Sequence, residues 1–168
     1  SNSPDSNQTS SFPEVWSTYS SRKVVMATDR NDSLEKMPGE INISLYQGEK
    51  EDAQLILTSS SNEKKAYSLA YGTLKNKDGV EFPKEKVQIY HQKYIKVAKT
   101  HTGNRDYFSW DRIPDMLLPM DTAIKNDENY IQPLSNQGVT VEFDSTGLPE
   151  GTYTGTFLLI VGKETKEV

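Results

Sequence analysis

The residues with the greatest capacity for chemistry lie in one polar and aromatic stretch between Thr100 and Tyr130. It contains three acids within ten residues of each other, Asp106, Asp111 and Asp115. Two carboxylates that flank a sugar can hydrolyse a glycosidic bond, one as acid and the other as base or nucleophile. With 24 Asp and Glu in the chain, however, some pair of carboxylates will resemble a glycosidase pair by chance. No regular element holds a second acid in place here, so we predict no catalytic residue and expect Asp115 to cap a turn of its own loop.

Other motifs of catalysis and cofactor binding are missing from the sequence. His91 and His101 are the only histidines, and no third ligand follows at a spacing typical of zinc sites. Neither a Gly-x-Ser-x-Gly nucleophile motif nor a phosphate-binding glycine loop occurs. We therefore predict no metal and no cofactor, and we expect His91 to lie on a sheet face between Tyr90 and Gln92.

Binding is a stronger candidate than catalysis for the same stretch. Aromatic rings in an irregular loop can present a face to a sugar, while charged neighbours bond its hydroxyls. The candidate ligand-binding residues are Arg105, Tyr107, Trp110 and Asp111. The competing interpretation is interdomain docking, for which the candidate residues are Pro114, Asp115, Leu117, Leu118 and Pro119. We favour docking, which predicts an apolar patch left exposed in the isolated chain.

The composition limits the kinds of partner. Lys and Arg total 19 against 24 Asp and Glu, for a net charge of -5, and the basic residues form no stripe. Nucleic acid is therefore an unsuitable partner. The longest apolar run, Phe157–Val161, is far short of the roughly 18 residues that a membrane helix needs, so we predict no transmembrane segment. A length of 168 residues suits one domain and is too short for a sandwich plus a barrel.

The first eleven residues are almost wholly Ser, Asn, Asp, Gln, Thr and Pro. Because this mixture cannot bury apolar surface, we predict a flexible polar tether at residues 1–11 and a single β-sandwich domain at residues 12–168. Such spacers commonly follow the lipid-modified cysteine or the cleaved signal of exported bacterial proteins. We expect an extracytoplasmic location, at the cell surface or in the periplasm, with lipid anchoring as one mode of attachment. The alternative is an ordinary disordered terminus with an expression remnant at Ser1 and Asn2.

The elements that must position these residues are strands. Val139, Val141 and Phe143 alternate with polar residues, as a strand with one buried face requires. Between Leu55 and Leu57, Ile56 predicts a strand covered partly on both sides. Seven to eight or more such strands predict an all-β fold, an antiparallel β-sandwich of immunoglobulin-like or jelly-roll-like type. The exception is residues 100–130, where two prolines and the lack of any period predict one long irregular loop.

The last two strong strand signals are joined by a loop from Ser145 to Gly151. This arrangement predicts a hairpin between the Val139 strand and the strand from Tyr153 to Val161. Gly151 is expected to let the chain reverse, and Gly155 is expected to permit close approach of another backbone.

Three segments in this order carry a family resemblance: Gln47–Leu57 (QGEKEDAQLIL), Ile113–Met120 (IPDMLLPM) and Leu148–Phe157 (LPEGTYTGTF). They resemble the N-terminal β-sandwich domain of family 123 glycoside hydrolases and related bacterial proteins. The family's acidic segment leading to Gln, its Pro-Asp-x-Leu-x-Pro loop and its Ala-Gly-x-Tyr-x-Gly hairpin have counterparts in the three segments, with Glu150 in place of the small residue of the hairpin motif. The resemblance spans about residues 22 to 163.

The resemblance implies that catalysis is carried elsewhere. In the resembled enzymes, N-acetylgalactosaminide hydrolysis depends on an Asp-Glu pair of a separate C-terminal barrel and on the substrate's own acetamido group. The expected function here is a non-catalytic accessory domain of a larger exported glycoside hydrolase-like protein, packed against a downstream catalytic barrel. Its expected partners are that downstream domain and, secondarily, a glycan. Two alternatives remain open, an independent carbohydrate-binding module and a cell-surface adhesion domain.

Overall fold

Two antiparallel β-sheets face each other in the part of the chain that the computed structural model describes. The described residues are 12–18, 24, 26, 37–38, 42–45, 50–100 and 108–168, with side chains except at 37–38, 42–45, 96–100 and 108–113. In chain order the elements are β1 (Glu14–Thr18), β2 (Met37–Pro38), β3 (Asn42–Leu45), β4 (Lys50–Thr58), β5 (Lys65–Lys75), a 3-10 turn (Lys84–Lys86), β6 (Val87–Thr100), β7 (Phe108–Pro119), α1 (Met120–Lys125), β8 (Tyr130–Ile131), β9 (Asn136–Asp144), β10 (Gly151–Val161) and β11 (Glu164–Glu167).

Among the described residues, the first sheet has six strands in the order β2-β1-β4-β9-β6-β7. In the second sheet the order is β11-β10-β5-β8. The edge of β10 that does not face β5 pairs with β3 near the start of the strand and with β11 near its end. Neighbouring strands are antiparallel throughout the described pairings. The prediction of an antiparallel β-sandwich is confirmed.

The core lies between the sheets and is filled from both of them. Leu55, Val139 and Phe143 of the first sheet pack with Tyr153 and Phe157 of the second. The aromatic rings meet edge to face, as their quadrupoles favour, with Phe143 and Phe157 centroids 6.3 Å apart. Burying these side chains supplies the main driving force for closing the two sheets.

The outer face of the first sheet carries a second, smaller cluster. Ile56 is fully buried there with Trp16 and Val24, on the face opposite to Leu55 and Leu57. Cover on both sides of β4 is therefore confirmed. The indole of Trp16 donates to the Thr58 hydroxyl at 2.8 Å, which fixes β1 against β4.

The predicted hairpin between the Val139 strand and the Tyr153 strand is wrong. β9 pairs with β4 and β6 in the first sheet, whereas β10 pairs with β3, β5 and β11 in the second. The loop between them thus crosses from one sheet to the other. Alternation places a strand with one face toward the core, but it does not tell which sheet the strand joins.

The predicted long irregular loop at residues 100–130 is also wrong over most of its length. β7 occupies Phe108–Pro119 and pairs with β6 from Thr100↔Phe108 to Tyr90↔Pro119. A short helix, α1, follows at once and buries Met120 and Ala123. Six residues are too few to show helical periodicity in the sequence.

The two prolines were wrong evidence against a strand, because β7 is an edge strand and edge strands tolerate proline. A residue without an N–H is tolerated at the edge of a sheet or beside a bulge. Pro114 pairs with Tyr94 and Met116 with Lys93, so that Asp115 is the extra residue of a β-bulge. Asp115 is exposed in this bulge and does not cap a loop, contrary to expectation.

Candidate functional site

A polar groove of about 570 Å³ opens at the end of the sandwich where β9 begins. Its floor contains His91 from β6 and Gln137 from β9, and Tyr94 lies beside them. The segment between α1 and β9 forms the wall, which includes Asp127, Glu128, Tyr130 and Gln132, while Met26, Lys64 and Lys93 complete the lining. Segments far apart in sequence therefore converge on this site.

His91 forms the centre of the floor and is 6% exposed. It shares the parity of Val87 and Ile89, so its side chain points between the sheets, where the Tyr67 hydroxyl lies 2.5 Å from Nδ1. Burial lowers the pKa of His91 to about 4; the charge of Glu128 raises this pKa by a smaller amount, and the charge of Lys93 lowers it further. The imidazole is therefore neutral at physiological pH.

The tautomer of His91 follows from its neighbour. Tyr67 is fully buried, burial raises the pKa of its hydroxyl, and no other acceptor for that hydroxyl occurs in the described part of the chain. A buried O–H without an acceptor costs about 1–3 kcal/mol, so the Tyr67 hydroxyl donates to Nδ1. The single proton of the neutral ring then resides on Nε2.

Gln137 is the second side chain of the floor and is 2% exposed. Its amide nitrogen donates to the carbonyls of Gln92 and Gly138, at 2.8 and 2.9 Å. Both amide hydrogens are thus used by the backbone. The remaining polar atom of the side chain is Oε1, an acceptor.

A buried amide network behind the floor holds β6 in place. Gln92 donates to Gln54 Oε1 at 2.6 Å and to Thr140 Oγ1 at 3.0 Å, which ties three strands of the first sheet together. Gly138 leaves room for this amide, since a Cβ there would lie 1.9 Å from Gln92 Oε1. The positions of His91 and Gln137 depend on this packing.

The charged groups around the rim are paired. Lys93 donates to Glu128 at 2.9 Å, and the ammonium of Lys64 lies 4.2 Å from the centre of the Tyr130 ring. Tyr130 donates its hydroxyl to Asp127. Two cations and two anions therefore border the groove without a net charge.

The carboxyl group of Glu128 is set for ionisation rather than for proton donation. The hydrogen bond from Lys93 lowers the pKa of Glu128. A glycosidase acid requires the opposite, a carboxyl whose pKa is raised so that it holds a proton at neutral pH. The arrangement can bind polar groups, but Glu128 is not tuned as a general acid.

The structure gives only part of the predicted ligand-binding set. Arg105 and Tyr107 lie outside the described residues. Trp110 pairs with Ala98 and Asp111 with Val97 in the register of the two antiparallel strands β6 and β7, here called the β6–β7 ribbon. Sugar binding by these residues stays a prediction.

The predicted docking residues are all on β7, in different surroundings. Pro114 is buried and Leu118 is half-buried against the core, whereas Asp115 and Pro119 are exposed. Leu117 is 49% exposed and Met116 is 54% exposed. A smaller cavity of about 260 Å³ opens beside Pro119 and Met120. Docking itself stays a prediction.

Sequence reasoning missed the groove, although one signal pointed to it. His91 has the same parity as Val87 and Ile89, so the alternation of β6 already directed its ring inward. Gln137 has the parity of Val139 and Val141, so the alternation of β9 also directed its side chain inward, whereas the contribution of the segment after α1 carries no such signal because its position depends on tertiary packing.

Two further findings concern the described side chains and helices. No three His, Cys, Asp or Glu side chains among the described residues come together as a set of metal ligands. In the same ranges, no helix has the length and apolarity needed to cross a membrane.

The comparisons with known proteins show a likeness to solved structures. No family model matches the sequence, and no curated protein matches it. Among solved structures, the chain is similar to a family 123 glycoside hydrolase from Clostridium perfringens, studied for glycolipid glycan hydrolysis, with a TM-score of 0.54 and 10% identity. The match covers 76% of this chain and 21% of that one. At this identity the likeness shows the fold alone: this sandwich resembles one part of a larger glycoside hydrolase.

Proposed function

We propose that the chain is a non-catalytic accessory sandwich domain of a larger glycoside hydrolase-like protein, and that β7 packs against a catalytic domain. Two findings support this function. The fold resembles a part of the Clostridium perfringens enzyme, of which the chain spans 21%. The edge strand β7 also presents large apolar side chains to solvent.

The exposed side chains of β7 carry the proposal. Met116 and Leu117 are about half exposed on consecutive residues, and Ile124 of the adjoining α1 is 46% exposed. As consecutive strand residues, Met116 and Leu117 project to opposite faces of the sheet, so both faces of this edge carry exposed apolar surface, which marks interaction sites on soluble domains. The bulge at Asp115 and the proline at 114 blunt the strand edge, so a partner contacts β7 through side chains rather than by adding a strand.

The test compares a longer protein that contains a catalytic domain with the isolated sandwich. We expect Met116→Asp with Leu117→Asp to lower the melting temperature and glycosidase activity of the longer protein, since each buried apolar side chain contributes about 1.5–3 kcal/mol. The isolated sandwich should lose little stability, because both side chains are already exposed in it. Differential scanning calorimetry measures both.

Leu134→Asp is the matched control. Leu134 is 53% exposed, but it lies in the turn before β9 and belongs to neither β7 nor α1. If the β7 double variant changes the longer protein no more than this control does, β7 is not the docking surface.

The non-catalytic part of the proposal has a separate assay. The chain alone should not hydrolyse a chromogenic N-acetylhexosaminide above the rate of buffer. Measurable turnover that survives repurification would contradict it.

We also propose an extracytoplasmic location, supported by the polar composition of residues 1–11. Fractionation of the source cells followed by immunodetection tests it. Recovery in the cytoplasmic fraction would refute this location.

A further inference from the structure

We propose that the groove floored by His91 and Gln137 is a binding site for a neutral polyhydroxylated ligand, the size of one or two sugar rings. This site is distinct from β7 docking and from the predicted sugar contact at Trp110. It gives the domain a recognition function of its own.

The floor presents a hydrogen-bond donor and an acceptor side by side. The Tyr67 hydroxyl fixes the tautomer of His91, so that Nε2–H is the free donor of the ring. The amide nitrogen of Gln137 is held by two backbone carbonyls, so Oε1 is its free acceptor. Neither atom has a partner among the described residues.

The strand register places these two groups together. His91 pairs with Val139, and Gln137 lies two residues before Val139 on the same face of β9. Such diagonal neighbours have Cα atoms about 7–8 Å apart, within reach of one small ligand. A hydroxyl can accept from one group while another hydroxyl donates to the other.

Tyr94 adds a third polar group at the side of the groove. Its hydroxyl accepts from the backbone N–H of Gly138 at 2.8 Å. The hydrogen of this hydroxyl has no acceptor among the described residues, which leaves it for the ligand. Burial raises the pKa of Tyr94, so this hydrogen is kept at any physiological pH.

The rim selects against charged ligands. Lys93 and Glu128 neutralise each other, Asp127 accepts from Tyr130, and Lys64 lies over the Tyr130 ring. An ionic ligand would have to break one of these pairs, whereas a neutral one leaves them intact. The volume of about 570 Å³ lies within the range of small-ligand sites.

Both floor side chains are already held in position before any ligand arrives. Tyr67 fixes the ring of His91, and backbone carbonyls fix the amide of Gln137. A site fixed in this way loses little side-chain entropy on binding. This fixed geometry distinguishes the floor from exposed polar residues elsewhere on the surface.

The experiment is an NMR titration of the isolated chain with a panel of methyl glycosides, including glucose, galactose, mannose and their N-acetylamino forms. Glucuronic acid and glucosamine serve as charged comparators. With only two histidines in the chain, the Nε2 signal of His91 can be followed in a long-range proton–nitrogen correlation, with His101 as internal reference. We expect at least one neutral glycoside to shift the His91 signal with a Kd on the order of 1 mM.

A groove-filling variant locates the binding. Gln132 lines the groove but is exposed, so Gln132→Trp places a large ring there without disturbing the core. We expect it to weaken binding about tenfold or more. Lys77→Trp, in the exposed turn at the far end of β5, is the matched control and should leave the Kd within about twofold.

Three results would overturn the proposal. The first is the absence of any His91 shift at tens of millimolar of every neutral glycoside. The second is stronger binding of a charged comparator. The third is binding that Gln132→Trp leaves unchanged and Trp110→Ala abolishes, which would assign recognition to the β6–β7 ribbon instead. Since the titration uses the isolated chain, its outcome does not depend on whether β7 docks on a catalytic domain.

Discussion

At the scale of single residues, His91 couples the groove to the stability of the fold. Burial keeps its imidazole neutral, with a pKa of about 4. In the unfolded chain the same side chain has its ordinary pKa of about 6.5. As the pH falls from about 6.5 to about 4, His91 becomes protonated in the unfolded chain but stays neutral in the folded one. The unfolded state therefore binds more protons, and the free energy of unfolding falls in this pH range.

We expect this loss to be about 1–2 kcal/mol, less than the full pKa shift implies, because the groove lets water reach one edge of the ring. Urea unfolding at pH 7.0 and pH 4.5 measures it. His91→Gln provides the comparison, since both proteins contain the same titrating carboxylates. If the two proteins lose the same stability on acidification, His91 does not titrate as described.

Tyr67 gives a second prediction at this scale. Tyr67→Phe removes the hydroxyl that lies 2.5 Å from His91 Nδ1 and leaves that buried acceptor without a partner. The expected cost is about 1–3 kcal/mol in the free energy of unfolding. Tyr130→Phe is the control, because it loses only an exposed bond to Asp127 and should change stability by about 0.5 kcal/mol or less. Equal effects of the two substitutions would contradict the role assigned to Tyr67.

At the scale of elements, the pairing of β10 with β5 depends on close contact of two backbones. A Cβ at Gly155 would lie 1.7 Å from the Thr73 carbonyl oxygen. This agrees with the prediction from the sequence that Gly155 permits another backbone to approach closely. Because that atom belongs to the backbone of β5, it cannot rotate away. We expect Gly155→Ala to destabilise the fold by about 3 kcal/mol or more, measured by thermal unfolding.

Gly79→Ala separates this steric effect from the conformational freedom of glycine. Gly79 has a φ of 81° in the turn after β5, and nothing lies within 4 Å of a Cβ built there. Its substitution should cost only about 1–2 kcal/mol. A smaller loss for Gly155→Ala than for Gly79→Ala would contradict the close approach of β10 and β5.

The elements also show where sequence reasoning succeeds and where it fails. Alternation identified β9 and β10 because half of each strand faces the core, as Val139 and Phe157 do. It failed for β7, an edge strand whose proline and bulge shift the register at Asp115. In β5 the parity also changes at Gly72, after which Leu74 rather than Thr73 is buried. Bulges are set by contacts with a partner strand and leave no periodic signal in one chain.

At the scale of the whole molecule, the sequence predicted two facing layers but not the assignment of strands to them. The loop after Asp144 was expected to turn within one sheet, yet it carries the chain from the first sheet to the second. The groove was missed for a related reason. Its floor comes from β6 and β9, which pair in the first sheet, and its wall from the segment between α1 and β9, and alternation indicates neither that β6 and β9 are neighbours nor that this segment lies beside them.

The boundary of the folded unit yields the last prediction. Phe12 packs against the main core, with the Lys166 ammonium 4.5 Å from its ring centre, and Pro13 is buried. Deletion of residues 1–11 should therefore leave the melting temperature unchanged, since their polar side chains are unsuited to a core. Extending the deletion to residue 13 removes packed apolar surface.

The longer deletion should cost about 1–3 kcal/mol, which for a chain of this length lowers the melting temperature by roughly 2–12 °C. Thermal unfolding followed by circular dichroism compares the two truncated proteins with the full chain. A clear loss on removing residues 1–11 would show that the predicted tether contributes to the fold. An unchanged melting temperature on removing residues 1–13 would show that the contacts of Phe12 with the core and with Lys166 add nothing to stability.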